Sequence, residues 1–235
     1  MSRIAMVCLA AVAGTGCISK SGNGEVQTQQ RLVPPFTRIA VEGPLLVTVT
    51  RGAQAVAFTT DSNLQPYLVA NVVDGTLKLE TAGVMALSPS VALQATVSLD
   101  GLESVIAGGG AELVADGSAA VEDWSVVASG GSVVAVHQLA SKKLSIVATV
   151  GSRVDVQGAA LRVTASGTGG SDVDTDGVRA EEASVQVSGS STFRVRATRS
   201  VQGSATESSQ LFISGNSTTR AVSGSEDARI TWLDE

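Results

Sequence analysis

From residue 38 onward the chain runs in short alternations of apolar and polar positions: Ile39 and Val41, then Leu45, Val47 and Val49, then Val56 and Phe58. Gly, Pro, Asp or Asn closes each run. A period of two with punctuation of this kind predicts half-buried strands, and no stretch carries the 3.6-residue period of a helix three turns long. Asp74-Gly75, set between Val72-Val73 and the Leu77 and Leu79 alternation, is a hairpin signal, although the same dipeptide serves corners of other β folds.

From about residue 105 to the C-terminus the alternation itself repeats. Segments 110–115, 131–136, 151–156, 170–175 and 190–195 align at a period of roughly 20 residues, each opening on Gly or Ser, and 208–213 and 225–230 continue the series. One apolar position recurs as Leu113, Val134, Val154, Val173, Phe193, Leu211 and Ala228. Two residues later come Ala115, Val136, Val156, Thr175, Val195, Ile213 and Ile230, the next inward position of a strand. Phe193 is therefore expected inside, between Val173 and Leu211, with Thr192 outside. On the outer face Asp155, Asp174 and Arg194 fall on three successive turns, where Arg194 would offset the repulsion between the two carboxylates.

A repeat near 20 residues suits one turn of a parallel β-helix, in which equal residues stack in ladders. The alternative is a β-sandwich of meandering strands. The helix is favoured because a sandwich gives no reason for the same residue types to return at every second strand. Residues 34 to about 104 fit the repeat less well and read either as initial coils or as a strand-rich cap that shields the open end from edge pairing.

Composition sharpens this picture. The 235 residues are 43% apolar but only 3% aromatic, so the core must be built from Val, Ala, Leu and Ile; twenty-five glycines favour frequent turns over helix bundles. A net charge of −6 without a run of Lys or Arg excludes a nucleic-acid partner, since nothing neutralises a phosphate backbone.

The N-terminus has a different character. Arg3, the apolar stretch 4–13 and Gly14-Thr15-Gly16-Cys17 read as a lipoprotein signal peptide over residues 1–17, with a lipobox ending at Cys17, the thiol that receives the lipid. Gly14 stands where Leu is common. Cys8 would leave with the signal, so a processed chain keeps Cys17 alone and forms no internal disulfide. Ile18, in place of Asp, favours onward transport to the outer membrane in a Gram-negative envelope. Residues 18–33 are polar, contain two glycines and end before Pro34-Pro35, which reads as a flexible tether to a domain over 34–235.

The opening 35–43, the stretch 60–64, the segment 74–79 and the repeated Ser-Gly-Ser blocks together resemble the bacterial head GIN domain family of auto-transporter adhesins. The resemblance covers essentially the whole mature domain and implies a right-handed parallel β-helix on a secreted or lipid-anchored protein. Val150 and Glu207 occupy positions where the family pattern has a turn glycine.

Catalytic chemistry is hard to assemble. His137, the only histidine, falls on an outward or corner position and reads as a solvated side chain. No Ser sits in a nucleophile elbow. Asp172, Asp174 and Asp176, followed by Gly177, are weak candidates for a calcium corner; Ala183 occupies the place where a helical calcium loop needs Glu, and a solvated acidic edge is the simpler reading. Trp124 and Phe212 are the candidate exposed aromatics for sugar stacking. No cofactor is called for. Three functions follow: a non-catalytic envelope lipoprotein that binds an envelope protein or a glycan and reaches the membrane through its lipid, a carbohydrate-active protein, or an accessory envelope sensor.

Overall fold

The structure, a computed structural model, describes residues 19–83 and 86–233. Cys17 and the signal segment lie outside them.

Strand alternation produces a parallel β-solenoid, not a sandwich. One sheet stacks, from the N-terminal end, Thr76–Thr81, Arg38–Glu42, Ser104–Gly108 and Val121–Ala128, then the second halves of the long strands Val133–Thr149 and Arg153–Thr168, then Val178–Val187, Ser200–Ala205 and Thr219–Gly224. The second sheet stacks Gln94–Leu99, Leu46–Arg51 and Glu112–Asp116, then the first halves of the same two long strands, then Asp172–Thr175, Thr192–Arg196, Gln210–Ser214 and Arg229–Trp232. The coil built from residues 38–51 is inserted between those of 76–99 and 104–116. Stacking order and chain order part company there, which is why 34–104 fits the repeat poorly.

Six corners between the sheets share one geometry. Gly109-Gly110, Gly130-Gly131, Val150-Gly151, Gly169-Gly170, Gly189-Ser190 and Glu207-Ser208 are pairs of consecutive positive-φ residues. The amide after the pair donates back across the turn, as Ala111 N to Gly108 O at 3.2 Å and Ser132 N to Ser129 O at 3.2 Å. This is a type I′ turn, cheap for glycine and strained for a β-branched residue, so Val150 at φ +52° is an outlier held by its context. Corners also stack: Gly110 N donates to Gly130 O (3.0 Å), Gly131 N to Val150 O (3.0 Å) and Gly170 N to Gly189 O (2.8 Å).

Inside, the expected columns form. Val173 pairs with Phe193 and Phe193 with Leu211, all buried. The last copy is corrected by two residues: Ile230, not Ala228, pairs with Leu211, because Ala228 ends a column that runs Ala111, Ser132, Ser152, Ser171, Ser191, Ser209. Those serines, read from sequence as turn residues, are buried just past the corners and are hydrogen-bonded. Ser132 and Ser152 donate to the carbonyls of Ala107 and Ala128 (3.0 Å each), and the Ser171 and Ser191 hydroxyls meet at 3.2 Å.

The N-terminal end is a cap of antiparallel strands. Leu68–Val73 pairs with Thr76–Thr81 through the Asp74-Gly75 turn, and Ala55–Asp61 covers Gln94–Leu99. Here the tether expectation for 18–33 is overturned: Val26–Gln30 pairs antiparallel with Ala55–Asp61, and Ser19–Ser21 pairs parallel with Ala86–Ser88. Every residue of Val26–Gln30 is exposed, so no apolar alternation marks it as a strand. Its order comes from backbone pairing and from polar clamps. Asp61, buried in the cap, accepts Gly24 N at 2.7 Å and Ser90 N and Oγ at 2.8 and 2.6 Å, and the Ser90 bonds hold its carboxyl below the usual range. Arg31 reaches Gln65 (3.0 Å) while lying over the Phe58 ring.

Phe193 is the largest member of its column and needs space from across the coil. Gly167 on the opposite sheet supplies it, since a Cβ there would run into the Phe193 ring. Phe193→Ala is expected to cost about 3 to 5 kcal/mol and Gly167→Ala about 1 to 3 kcal/mol, with the second penalty largely gone in the double variant. Denaturant unfolding of the four proteins checks this coupling; additive losses would place the ring elsewhere.

Candidate functional site

The inward positions form one buried hydrophobic cluster, and the register sets the outward positions in rows open to solvent. On the second sheet Asp155, Asp174 and Arg194 are neighbours in one column, as expected, and Phe212 follows them. The partner of Arg194 differs from expectation. Its Nη1 meets Asp172 Oδ1 at 3.1 Å, one position over, and its guanidinium lies 5.6 Å from the Phe212 ring centroid. Arg153 reaches the other oxygen of Asp172 at 2.8 Å, and this bond raises the guanidinium's pKa. Asp172 is thus shared by two cations, a stronger draw for Arg194 than Asp174, whose Oδ1 already accepts the Asp176 amide at 3.0 Å.

That arrangement also disperses the calcium candidates. Asp172 is clamped by two arginines, Asp174 closes its own turn, and Asp176 accepts the Ser214 hydroxyl. Among the described residues no group of three or more His, Cys, Asp or Glu is placed to hold a metal. His137 is exposed beside the positive-φ Gln138, where the long strand changes register.

The first sheet carries a second charge cluster at its far edge. Glu182 receives Arg162 Nε at 2.7 Å and also pairs with Arg199, which in turn reaches Glu181 at 3.3 Å. The two guanidiniums hold the Glu182 carboxyl below its usual range. Lys143 pairs with Asp123 at 3.3 Å in the same column.

Between that edge and the corners the four coils that carry Ser145, Thr164, Ser184 and Gln202 present no charge on this sheet, whereas Arg38 and Lys78 bring charge to its N-terminal end. Its outward rows are Ser145, Thr164, Ser184 and Gln202, then Val147, Ser166, Gln186 and Ser204. A shallow groove of about 320 Å³ runs over them and is lined by Val147, Ser166, Gln186 and Ser204 among others. Sequence reading missed this face because it followed only the repeat of the other sheet. A second series in the same period marks it: Leu144-Ile146-Ala148, Val163-Ala165-Gly167 and Ala183-Val185-Val187 inward, with Ser, Thr and Gln between them. Trp124 belongs to this series as well. Its expected exposure is corrected, for it is in register with Leu144 and fully buried, with its Nε1 unpartnered. Phe212 is outward but half-buried beneath Arg194.

Comparison with known proteins places this architecture among relatives. The family described as "Putative auto-transporter adhesin, head GIN domain" matches residues 35–217. A "putative adhesin" of Bacteroides fragilis shares the fold at a TM-score of 0.85 and 15% identity, over 91% of this chain and 100% of the other. A "putative lipid binding protein" of Parabacteroides distasonis (TM-score 0.69, 18% identity, 92% and 99% covered) and a "putative adhesin" of Parabacteroides merdae (0.65, 18%, 92% and 99%) share it too. No curated protein matches the chain.

The Glu182 cluster has a pH signature. A carboxyl with a lowered folded pKa contributes stability above its unfolded value, about pH 4, and loses it as pH falls through the folded value. Glu182→Gln is therefore expected to melt below the parent at pH 7, with the two curves converging as pH falls below 4. A gap that persists in acid would mean packing, not charge, is what the substitution removes.

Proposed function

The chain belongs to the head GIN domain family described as "Putative auto-transporter adhesin", and on that premise we propose that it is a non-catalytic adhesin of the cell envelope, anchored by a lipid on Cys17 in the outer membrane. The observation that carries this reading is the division of labour along the solenoid. Inward rows are buried in one hydrophobic core, while the outward rows are long and regular, the form of surface on which repeat proteins bind extended partners. The charged outward groups are engaged mainly with one another, as Asp172 is with Arg153 and Arg194, instead of converging on a reacting position.

Lipid anchoring gives the cap a purpose. No helix among the described residues is long and apolar enough to cross a membrane, so attachment through Cys17 is the route this reading uses. Cys17 stands two residues before Ser19, and Ser19–Ser21 is already paired with Ala86–Ser88. Two residues can span at most about 7 Å, so the lipid would lie close to the folded cap. The solenoid would stand on its capped end with its outward rows presented to the side.

Expression in a Gram-negative host tests the proposal. Full-length protein is expected to sediment with membranes, take up a fatty-acid label and make cells adhere to a surface, whereas Cys17→Ser protein should be released, unlabelled and without adhesion. Unchanged labelling of the Cys17→Ser protein would overturn the anchor. Cells that adhere no better with the parent than without it would overturn the adhesin reading.

A further inference from the structure

We propose that the uncharged outward face of the first sheet, from Val147 to Ser204, binds a neutral polysaccharide chain lying across successive coils; this rests on the adhesin reading and specifies its ligand. The face is unusual for this molecule. On the same coils the second sheet presents Arg153, Asp155, Asp172, Asp174 and Arg194, whereas here eight outward positions on four coils are Ser, Thr, Gln or Val.

Its polar groups are also idle. Among the described residues, Ser166, Thr168, Gln186, Ser188, Ser204 and Thr206 make no side-chain hydrogen bond within the chain, although all six line the groove. Hydroxyls that serve the fold behave differently: Ser132, Ser152, Ser171, Ser191 and Ser209 are buried and bonded. Free hydroxyls and amides both donate and accept, which is the character of a sugar's own hydroxyl groups. Without charge the face has no Coulomb attraction for an acidic polysaccharide or a phosphate polymer.

The same column supplies an apolar half. Ile106, Val127 and Val147 stack in register directly before Ser166, Gln186 and Ser204, and Ile106 and Val147 are 41% and 38% exposed. Such a strip suits the C–H faces of sugar rings. Coils repeat about every 4.8 Å, a spacing on the scale of one sugar residue, so a polymer meets equivalent groups step after step. There is no aromatic platform on this face, Trp124 being inside and Phe212 on the other sheet. Each contact is therefore weak, and retention depends on many of them at once.

The test uses full-length protein in detergent micelles, co-sedimented with an insoluble neutral α-glucan, an insoluble neutral β-glucan, calcium alginate and collagen-coated beads. Retention on a neutral glucan is expected, weakened about tenfold or more by the Gln186→Ala/Ser204→Ala pair and unchanged by the Asp155→Ala/Asp174→Ala pair on the opposite sheet. Free glucose should not compete, and no reducing ends should be released. Equal melting temperatures of parent and Gln186→Ala/Ser204→Ala protein show that the fold is kept; should that pair melt lower, Ser166→Asp, which places a charge on the face, replaces it. Retention insensitive to these substitutions, retention only on alginate or collagen, or no retention at all overturns the polysaccharide proposal. Those results leave the adhesin reading to the cell-adhesion assay, which fails or holds independently.

Discussion

Stacked corners are the constraint on which the rest of the molecule depends. Six successive coils turn from one sheet to the other within two residues, through consecutive positive-φ residues at 109–110, 130–131, 150–151, 169–170, 189–190 and 207–208. Amide-to-carbonyl bonds between neighbouring corners lock one turn above the next. With the corners aligned, a strand cannot slip by one residue, because a slip would turn every core side chain outward. Register, and with it every inward and outward column, follows.

Aligned columns then impose chemistry on each position. Inside, volumes must sum correctly across a coil, which is why Phe193 coexists with Gly167, and the buried serines just past the corners sit where carbonyls or a second hydroxyl accept them. Outside, the register sets each residue against its counterpart one coil away, so neighbouring columns form zones of one character, charged or neutral. The charged zone around Asp172 and the neutral zone around Gln186 are two outcomes of one rule.

What the sequence made legible follows from the same geometry. Phe193, Val173 and Leu211 could be placed because a strict period of two meets a coil period near 20, and the Asp74-Gly75 hairpin because its turn chemistry is local. Val26–Gln30 could not, since an exposed strand held by its backbone and by Asp61 and Gln65 leaves no apolar pattern. Trp124 was misplaced because its sheet has a separate inward phase, and Ala228 because the alignment allowed two residues too few between Leu211 and its partner Ile230. The pairing of Arg194 with Asp172 is a matter of long side chains crossing between rows, which residue order alone does not encode. The neutral face lay in plain view as scattered Ser, Thr and Gln; only the fold brings them together.

If corner geometry is the governing constraint, Val150 is the position that exposes it. This β-branched residue is solvent-exposed at 65% and held at φ +52°, between Gly131 N, which donates to its carbonyl, and the Gly169 backbone beneath it. The most direct measurement is the thermal unfolding of Val150→Gly beside Val147→Gly, an exposed strand valine. Relief of left-handed strain should leave Val150→Gly at least as stable as the parent while Val147→Gly melts lower by the usual penalty for glycine in a strand. An equal loss in both variants would contradict the assignment of residue 150 to a strained, register-setting corner.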